Sequence, residues 1–200
     1  ENALRLLDQS FVAAGRTKEA LETTLAWIKT HPESSDDLLP LVVELARDTG
    51  QWALIETMCD GILAANADNV RARALRGEAR LRQGRPREAL DDLELARASS
   101  QSDPMVRLHI AAAYQALNRL ADATQIARSL ASEYPDNTFV HVLLAETLAR
   151  RGENDAARDE YVIALRGIAG EGAESAARRD EIRLRIAAID LGAKRFDDAR

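Results

Sequence analysis

AAAYQALNRLADATQIARSLASEYP, residues Ala111 to Pro135, is the stretch that decides the fold. Ala111, Tyr114 and Leu117 recur at helical spacing on one face. Leu120, Ala123, Ile126, Ala127 and Leu130 then resume that spacing until Pro135 stops it. Between the two runs stands Asn118, and Asn, like Gly, tolerates the left-handed backbone that ends a helix. Small side chains at Ala111 and Ala123 suit two helices that cross closely. The stretch predicts an αα-hairpin.

Working outward, the same punctuation returns. Turn residues fall at Gly15, Gly50, Gly84, Asn118 and Gly152, at steps of 35, 34, 34 and 34 residues. Five places after each turn lie Ala20, Ala89, Ala123 and Ala157, with Ile55 the exception, and Pro32 and Pro135 occupy one place three repeats apart. A ladder that keeps phase over this length is the mark of a repeat array. Connections this short force neighbouring helices to be antiparallel. The expected fold is all-α, a right-handed solenoid of stacked hairpins in a single domain. Five full repeats span about 1–34, 35–69, 70–103, 104–137 and 138–170, and a degenerate, truncated sixth spans 174–200. Helix starts are expected at Asp36 or Asp37, at Asn69, at Asp103 with Pro104 in the first helical position, and at Asp136-Asn137.

The phase breaks twice. GIAGEGAESAARRD, residues 167–180, is too long for the usual connection and predicts a loose linker. Gly192 follows Gly152 by 40 residues and is expected as the sixth turn, with Ile182, Ile186, Ile189 and Leu191 on the helix before it and Phe196 to Ala199 opening the helix after it. The second break is the third repeat. There Arg73, Arg76 and Arg80 stand where apolar residues are usual, so that Ala72, Leu75 and Ala79 face the core or the arginine stems pack with their heads reaching out.

These residues resemble the tetratricopeptide repeat family. Numbering a unit from 1, that family favours a large apolar residue at 4, Leu at 7, a small residue at 8, an aromatic at 11, Ala at 20, an aromatic at 24, Ala at 27 and Pro at 32. The unit from Pro104 matches with Ile110, Ala111, Tyr114, Ala123, Leu130 and Pro135, and the unit from Thr138 with Leu144, Ala145, Leu148, Ala157, Tyr161 and Ala164. The first unit offers Leu4, Leu7, Phe11, Ala20 and Pro32 but Trp27 where Ala is usual, and the second, looser, offers Leu39, Val42, Trp52 and Ile62. The resemblance implies the architecture over most of the chain. It implies little about function, because the scaffold is widely reused.

Composition bounds the remaining possibilities. Hydrophobic residues make up 46% of the 200, enough for a continuous core, and five prolines and eight aromatic residues give little sign of a sheet. A net charge of −6 argues against a nucleic-acid binder, which needs a basic face for phosphates. Basic residues are nearly all Arg, with Lys only at 18, 29 and 194, a skew expected of a GC-rich bacterial genome. Cys59 is the single cysteine, so no internal disulfide forms, and its place in the repeat predicts a small buried hydrophobe. No run approaches the length of a membrane span, so no insertion by this segment is expected. The chain begins at Glu1 and stops soon after a new helix begins, as expected of a piece of a longer protein, and the periplasm is slightly favoured over the cytoplasm as its compartment.

Catalytic chemistry is not expected. His31, His109 and His141 lack the spacing of a metal site, no glycine-rich phosphate loop or nucleophile elbow is present, and paired acids such as Asp91-Asp92 sit at helix starts, where they complement the helix dipole. No cofactor or metal is expected.

Stacked hairpins of this kind line a concave groove with their first helices. In the resembling family the groove residues lie near unit positions 2, 5, 9, 12 and 13. This implies a partner-binding groove of Met105, Leu108, Ala112, Phe139, Val142 and Glu146 that receives a protein or peptide segment. The carboxylate clamp of some family members is not matched, and Arg5 and Gln9 echo it faintly. A second candidate is Arg71, Arg73, Arg76 and Arg80 as a docking stripe for an acidic partner, against a solvated face paired with Glu78, Glu88, Asp91 and Asp92. The leading function is a non-catalytic scaffold within a bacterial multiprotein assembly. Two alternatives stand beside it. One is a segment of an exopolysaccharide secretion apparatus bridging enzymes or polymer to an outer-membrane pore, with Trp52, Tyr134 and Phe139 as candidate sugar-stacking aromatics. The other is a spacer or self-assembling module, so that homo-oligomers are possible.

Overall fold

The computed structural model describes residues 10–11, 14–31, 35–99, 103–170 and 172–197. Among them lie ten helices and no strand. They are α1 (Thr17–Thr30), α2 (Ser35–Thr49), α3 (Trp52–Ala65), α4 (Val70–Arg82), α5 (Pro86–Ser99), α6 (Pro104–Ala116), α7 (Leu120–Glu133), α8 (Thr138–Arg150), α9 (Asn154–Gly167) and α10 (Ala173–Asp197). The chain divides into two compact units, Glu1–Val106 and Arg107–Arg200. Packing runs between sequence neighbours, from α1 through α2, α3 and α4 to α5 in the first unit and from α7 through α8 and α9 to α10 in the second.

All five expected turn positions carry the left-handed backbone. Gly15, Gly50, Gly84 and Gly152 have φ between +65° and +80°, and Asn118, the non-glycine residue of this kind among those described, has φ +60°. Asn118 also accepts a hydrogen bond from Arg150 Nη2 at 3.1 Å. Asn118→Ala therefore adds left-handed strain and removes that acceptor, and is expected to lower stability by about 1–2 kcal/mol. Asn118→Gly relieves the strain and loses only the acceptor, so its urea midpoint is expected to stay near the parent value.

Caps agree with the sequence at three helices. Asn69 Oδ1 accepts from Ala72 N at 2.9 Å, Asp103 Oδ1 from Met105 N at 2.8 Å, and Asn137 Oδ1 from Phe139 N at 3.1 Å. At α2 the expectation fails, because the helix begins at Ser35 and Asp36 and Asp37 lie inside its first turn. The core of the first unit gathers Leu21, Leu38, Leu45, Ile55, Cys59 and Leu75. Burial pushes the Cys59 thiol up to about 12, so it packs as a neutral side chain. In the second unit Leu130, Leu144 and Leu148 are fully enclosed, and Tyr161 and Ile182 close the far end.

The C-terminal end corrects two expectations. Residues 173–180 are the first two turns of α10, which leaves 168–172 as the connection. Gly170 takes φ +88° there, and the Ala, Glu and Arg residues that follow are good helix formers. Gly192 makes no turn, and α10 continues through it to Asp197. A single interior glycine costs about 1 kcal/mol relative to alanine, too little to break a helix whose flanking residues favour it. The part of the expected first repeat at 1–9, 12–13 and 32–34, with Leu4, Arg5, Leu7, Gln9 and Pro32, lies outside the described residues, as does the sixth repeat beyond Asp197.

Candidate functional site

Of the arginines of α4, Arg76 and Arg80 turn into the fold and pair with Asp92, one of the expected acidic partners, while Arg71 stays exposed. Ala72, Leu75 and Ala79 are buried, as one expected alternative has it, and this rotates Arg76 and Arg80 to the seam between α3 and α5. Arg76 grips Asp92 bidentately, Nε to Oδ2 at 2.8 Å and Nη2 to Oδ1 at 2.6 Å, and reaches Asp60 with Nη1 at 2.7 Å. Arg80 donates to Glu56 at 2.9 Å and to Asp92 at 2.8 Å. Gln83 and Arg85, from the turn after α4, complete the coordination of Glu56 at 2.9 and 2.6 Å. The Asp92 side chain is 4% exposed and those of Arg76 and Arg80 are 20% and 17% exposed, so these charges are largely satisfied within the fold. Burial works against ionisation of Glu56, but the hydrogen bonds from Arg80, Gln83 and Arg85 outweigh it and hold the carboxyl at about 2. Of the other expected partners, Glu78 lies 3.6 Å from Arg82 and Glu88 pairs with Arg85. Arg73 donates to the Ala67 carbonyl, and Arg71 is exposed.

The expected apolar groove is redistributed. Leu108 is 9% exposed and packs with Ala111, Leu130, Val140 and Leu143, so it belongs to the core of the second unit. Ala112 lies partly buried at the edge of the same cluster. Val142 is half-covered by the cluster of Tyr161 and Ile182, because α10 packs at this end of the unit. Glu146 is tied to Arg185 of α10 at 2.6 Å. Met105, in the first unit, is exposed. Phe139 has 58% of its surface open.

Phe139 sits in the first turn of α8, where Asn137 caps the helix. The Arg178 guanidinium lies over its ring, 5.0 Å from the centroid. A shallow cleft of about 330 Å³ opens beside them, walled by Thr138, Ile168, Ala169 and Ser175. The wall is drawn in by Gly167, where a Cβ would stand 2.7 Å from Thr138 Oγ1. The result is a cleft of mixed lining, with Phe139, Ile168 and Ala169 apolar, Thr138 and Ser175 polar, and a cation at its rim.

Two of the histidines are held by neighbours in the fold. His141 is buried, with Nδ1 2.6 Å from a Glu160 carboxylate oxygen and Nε2 2.9 Å from the Pro135 carbonyl oxygen, and His31 stacks on Trp27 at 4.0 Å between centroids. Among the described residues no group of three or more His, Cys, Asp or Glu is arranged to hold a metal, and no helix is long and apolar enough to cross a membrane.

Residues 106–137 match the family model described as Tetratricopeptide repeat. That segment, one unit of the array, is similar to a tetratricopeptide repeat. The fold agrees along the chain. TTC0263, described as a thermophilic TPR protein in Thermus thermophilus, superposes with a TM-score of 0.69 at 20% identity, over 95% of this chain and 98% of that one. PilW, a widely conserved type IV pilus biogenesis factor, gives 0.73 at 14% identity over 96% and 87%, and MamA from Desulfovibrio magneticus gives 0.64 at 18% over 82% and 93%. No curated protein matches the sequence significantly.

Counted within the 34-residue unit, Gly77, Ala111 and Ala145 hold position 8 of successive repeats, and all three are buried. The ion network is the departure from the pattern. Its partners Glu56 and Asp60 lie on the second helix of the preceding hairpin, beyond the unit that holds the arginines. A signal for them exists. Glu56 and Asp60 are four apart, as are Arg76 and Arg80, and antiparallel helices bring 56 to 80 and 60 to 76.

Proposed function

We propose that the protein is a non-catalytic scaffold of a bacterial multiprotein assembly that captures a segment of a partner protein at the Phe139 cleft. The observation that carries this reading is the openness of Phe139, a large ring held at the mouth of a cleft by a capped helix start instead of being folded inward. An apolar partner side chain stacks on the ring and fills the cleft beside it, and a carboxylate or carbonyl of the same segment bonds to Arg178. Tetratricopeptide folds serve as protein-interaction scaffolds, and one of the similar structures is named as a pilus biogenesis factor, which supports an assembly role. Val142, which the sequence put in the groove, packs in the same cluster as Ile168 of the cleft wall, and Leu108 lies in the core apart from it.

A random peptide library selected on the intact chain and counter-selected on Phe139→Glu tests the proposal. Peptides specific to the parent are expected to lose at least about tenfold in affinity on Phe139→Glu, since a desolvated aromatic anchor is worth about 2 kcal/mol or more. Equal binding to both proteins, with equal helicity, would falsify the assignment of the cleft.

A further inference from the structure

His141 of α8 is 5% exposed, and each of its two ring nitrogens meets an oxygen. Nε2 lies 2.9 Å from the Pro135 carbonyl oxygen, which only accepts, so Nε2 carries a proton. Nδ1 lies 2.6 Å from a carboxylate oxygen of Glu160 on α9. A carboxylate has no proton to give, and an unprotonated Nδ1 would set two lone pairs against each other at that distance. Both nitrogens therefore donate, whereas a neutral imidazole has a single N–H. The ring is an imidazolium, a buried cation whose counter-charge is Glu160, with a side chain 23% exposed.

Among the described residues Glu160 pairs with His141 and with no arginine. Other acids on the surrounding elements are engaged elsewhere or face water. Glu133 at the end of α7 is paired with Arg107, Glu146 of α8 is tied to Arg185 of α10, and Asp136 of the α7–α8 connection and Asp159 of α9 are exposed.

The two bonds of the ring tie together the two walls of the Phe139 cleft. One wall grows from the α7–α8 connection, where the Pro135 carbonyl is held and Asn137 caps α8 through Phe139 N at 3.1 Å and Val140 N at 3.3 Å. The other is the end of α9 with Ile168 and Ala169, about two turns beyond Glu160. The walls meet where Thr138 Oγ1 closes on Gly167. Loss of the Nδ1 proton turns an attraction between α8 and α9 into a repulsion beside that contact.

We infer that His141 and Glu160 form a proton-held clasp on the mouth of the Phe139 cleft, which is fixed while the ring keeps both protons and loosens as alkaline solution removes the one at Nδ1. The consequence for binding rests on that cleft being the capture site.

Ring 15N shifts of His141 and amide exchange of the chain, followed together from neutral to alkaline pH, test the clasp without any ligand. At about pH 7.5, where an ordinary histidine is mostly neutral, both ring nitrogens are expected to be protonated. Protection factors of the Phe139 and Val140 amides, which donate to the Asn137 cap, are expected to fall about fivefold with the same midpoint as the ring, the worth of one buried hydrogen bond. Glu160→Gln is expected to abolish that step with unchanged helicity, because an amide accepts from a protonated Nδ1 and donates to an unprotonated one. An acetylated peptide selected on the Phe139 cleft and free of His, Cys, Tyr and Lys is expected to lose affinity by a similar factor over the same step, and to bind Glu160→Gln equally across it. One protonated ring nitrogen at neutral pH overturns the inference, as does a ring that keeps both protons throughout, a ring that titrates without moving the amides, or a step that survives in Glu160→Gln. Peptides that bind neither protein at any pH, while ring and amides titrate together, support the clasp and sink the reading of the cleft as the capture site.

Discussion

Asp92→Ala is expected to lower stability by about 3–4 kcal/mol, measured as the shift of the urea midpoint at constant slope. Asp92 receives three hydrogen bonds, two from Arg76 and one from Arg80, and its removal leaves two mostly buried guanidinium groups without their shared counter-charge. A docking stripe or a solvated face predicts a change within about 0.5 kcal/mol for the same substitution, so the experiment separates the network from both. The pH dependence follows the same geometry. Glu56 falls from an ordinary 4.5 to about 2 on folding. Its depressed value means a contribution that is fully present above pH 4.5 and is lost as pH falls through 4.5 towards 2. With the side chain 13% exposed, the contribution is of the order of 3 kcal/mol at most. Glu56→Gln is expected to flatten the acid limb of the stability curve over that window and to leave its shape unchanged above it.

Gly77→Ala is expected to destabilise by about 2 kcal/mol, although alanine is the better helix former by about 1 kcal/mol. A Cβ at Gly77 would stand 2.6 Å from Leu93 Cγ and 3.2 Å from the Ala89 carbonyl oxygen, so α4 and α5 must separate or Leu93 must leave its place in the core. Leu93 is fully buried, and a close-packed interior leaves such a side chain little space to enter. The double variant Gly77→Ala with Leu93→Ala is expected to recover part of the loss that the two single changes add up to, since the methyl then enters the volume the leucine leaves. Simple additivity of the two would show that the helices do not meet at this glycine. The repeats that follow make the position informative, because Ala111 and Ala145 at the same place carry a Cβ and are fully buried.

The second helix partner of each arginine was out of reach of any window along the chain. Arg76 and Arg80 stand 16 and 24 residues from Asp60 and Glu56. Helical periodicity places a charge on a face, but whether that face meets water or a seam depends on the rotation of α4, which burial of Ala72, Leu75 and Ala79 settles. Leu108 and Val142 show the same limit on the apolar side. Their unit positions put them towards the groove, yet the size of the neighbouring side chains and the packing of α10 decide that one is core and the other half-covered. Phe139, placed by its unit position 2, is exposed, while Val140 beside it in the same first turn is buried, so the rotation of α8 and not the place along it sets which ring stays open.

Local chemistry by itself determined the repeat. Turn residues that reach positive φ, caps at Asn69, Asp103 and Asn137, and helical spacing between them need only neighbours within a few residues, and a 34-residue period multiplies their signal. Tertiary structure alone decided which charges are satisfied inside the fold, which apolar residues remain outside it, and that α10 runs on through Gly192. Those outcomes depend on contacts between helices, where burial and pairing over several ångströms outweigh the preference of any single residue.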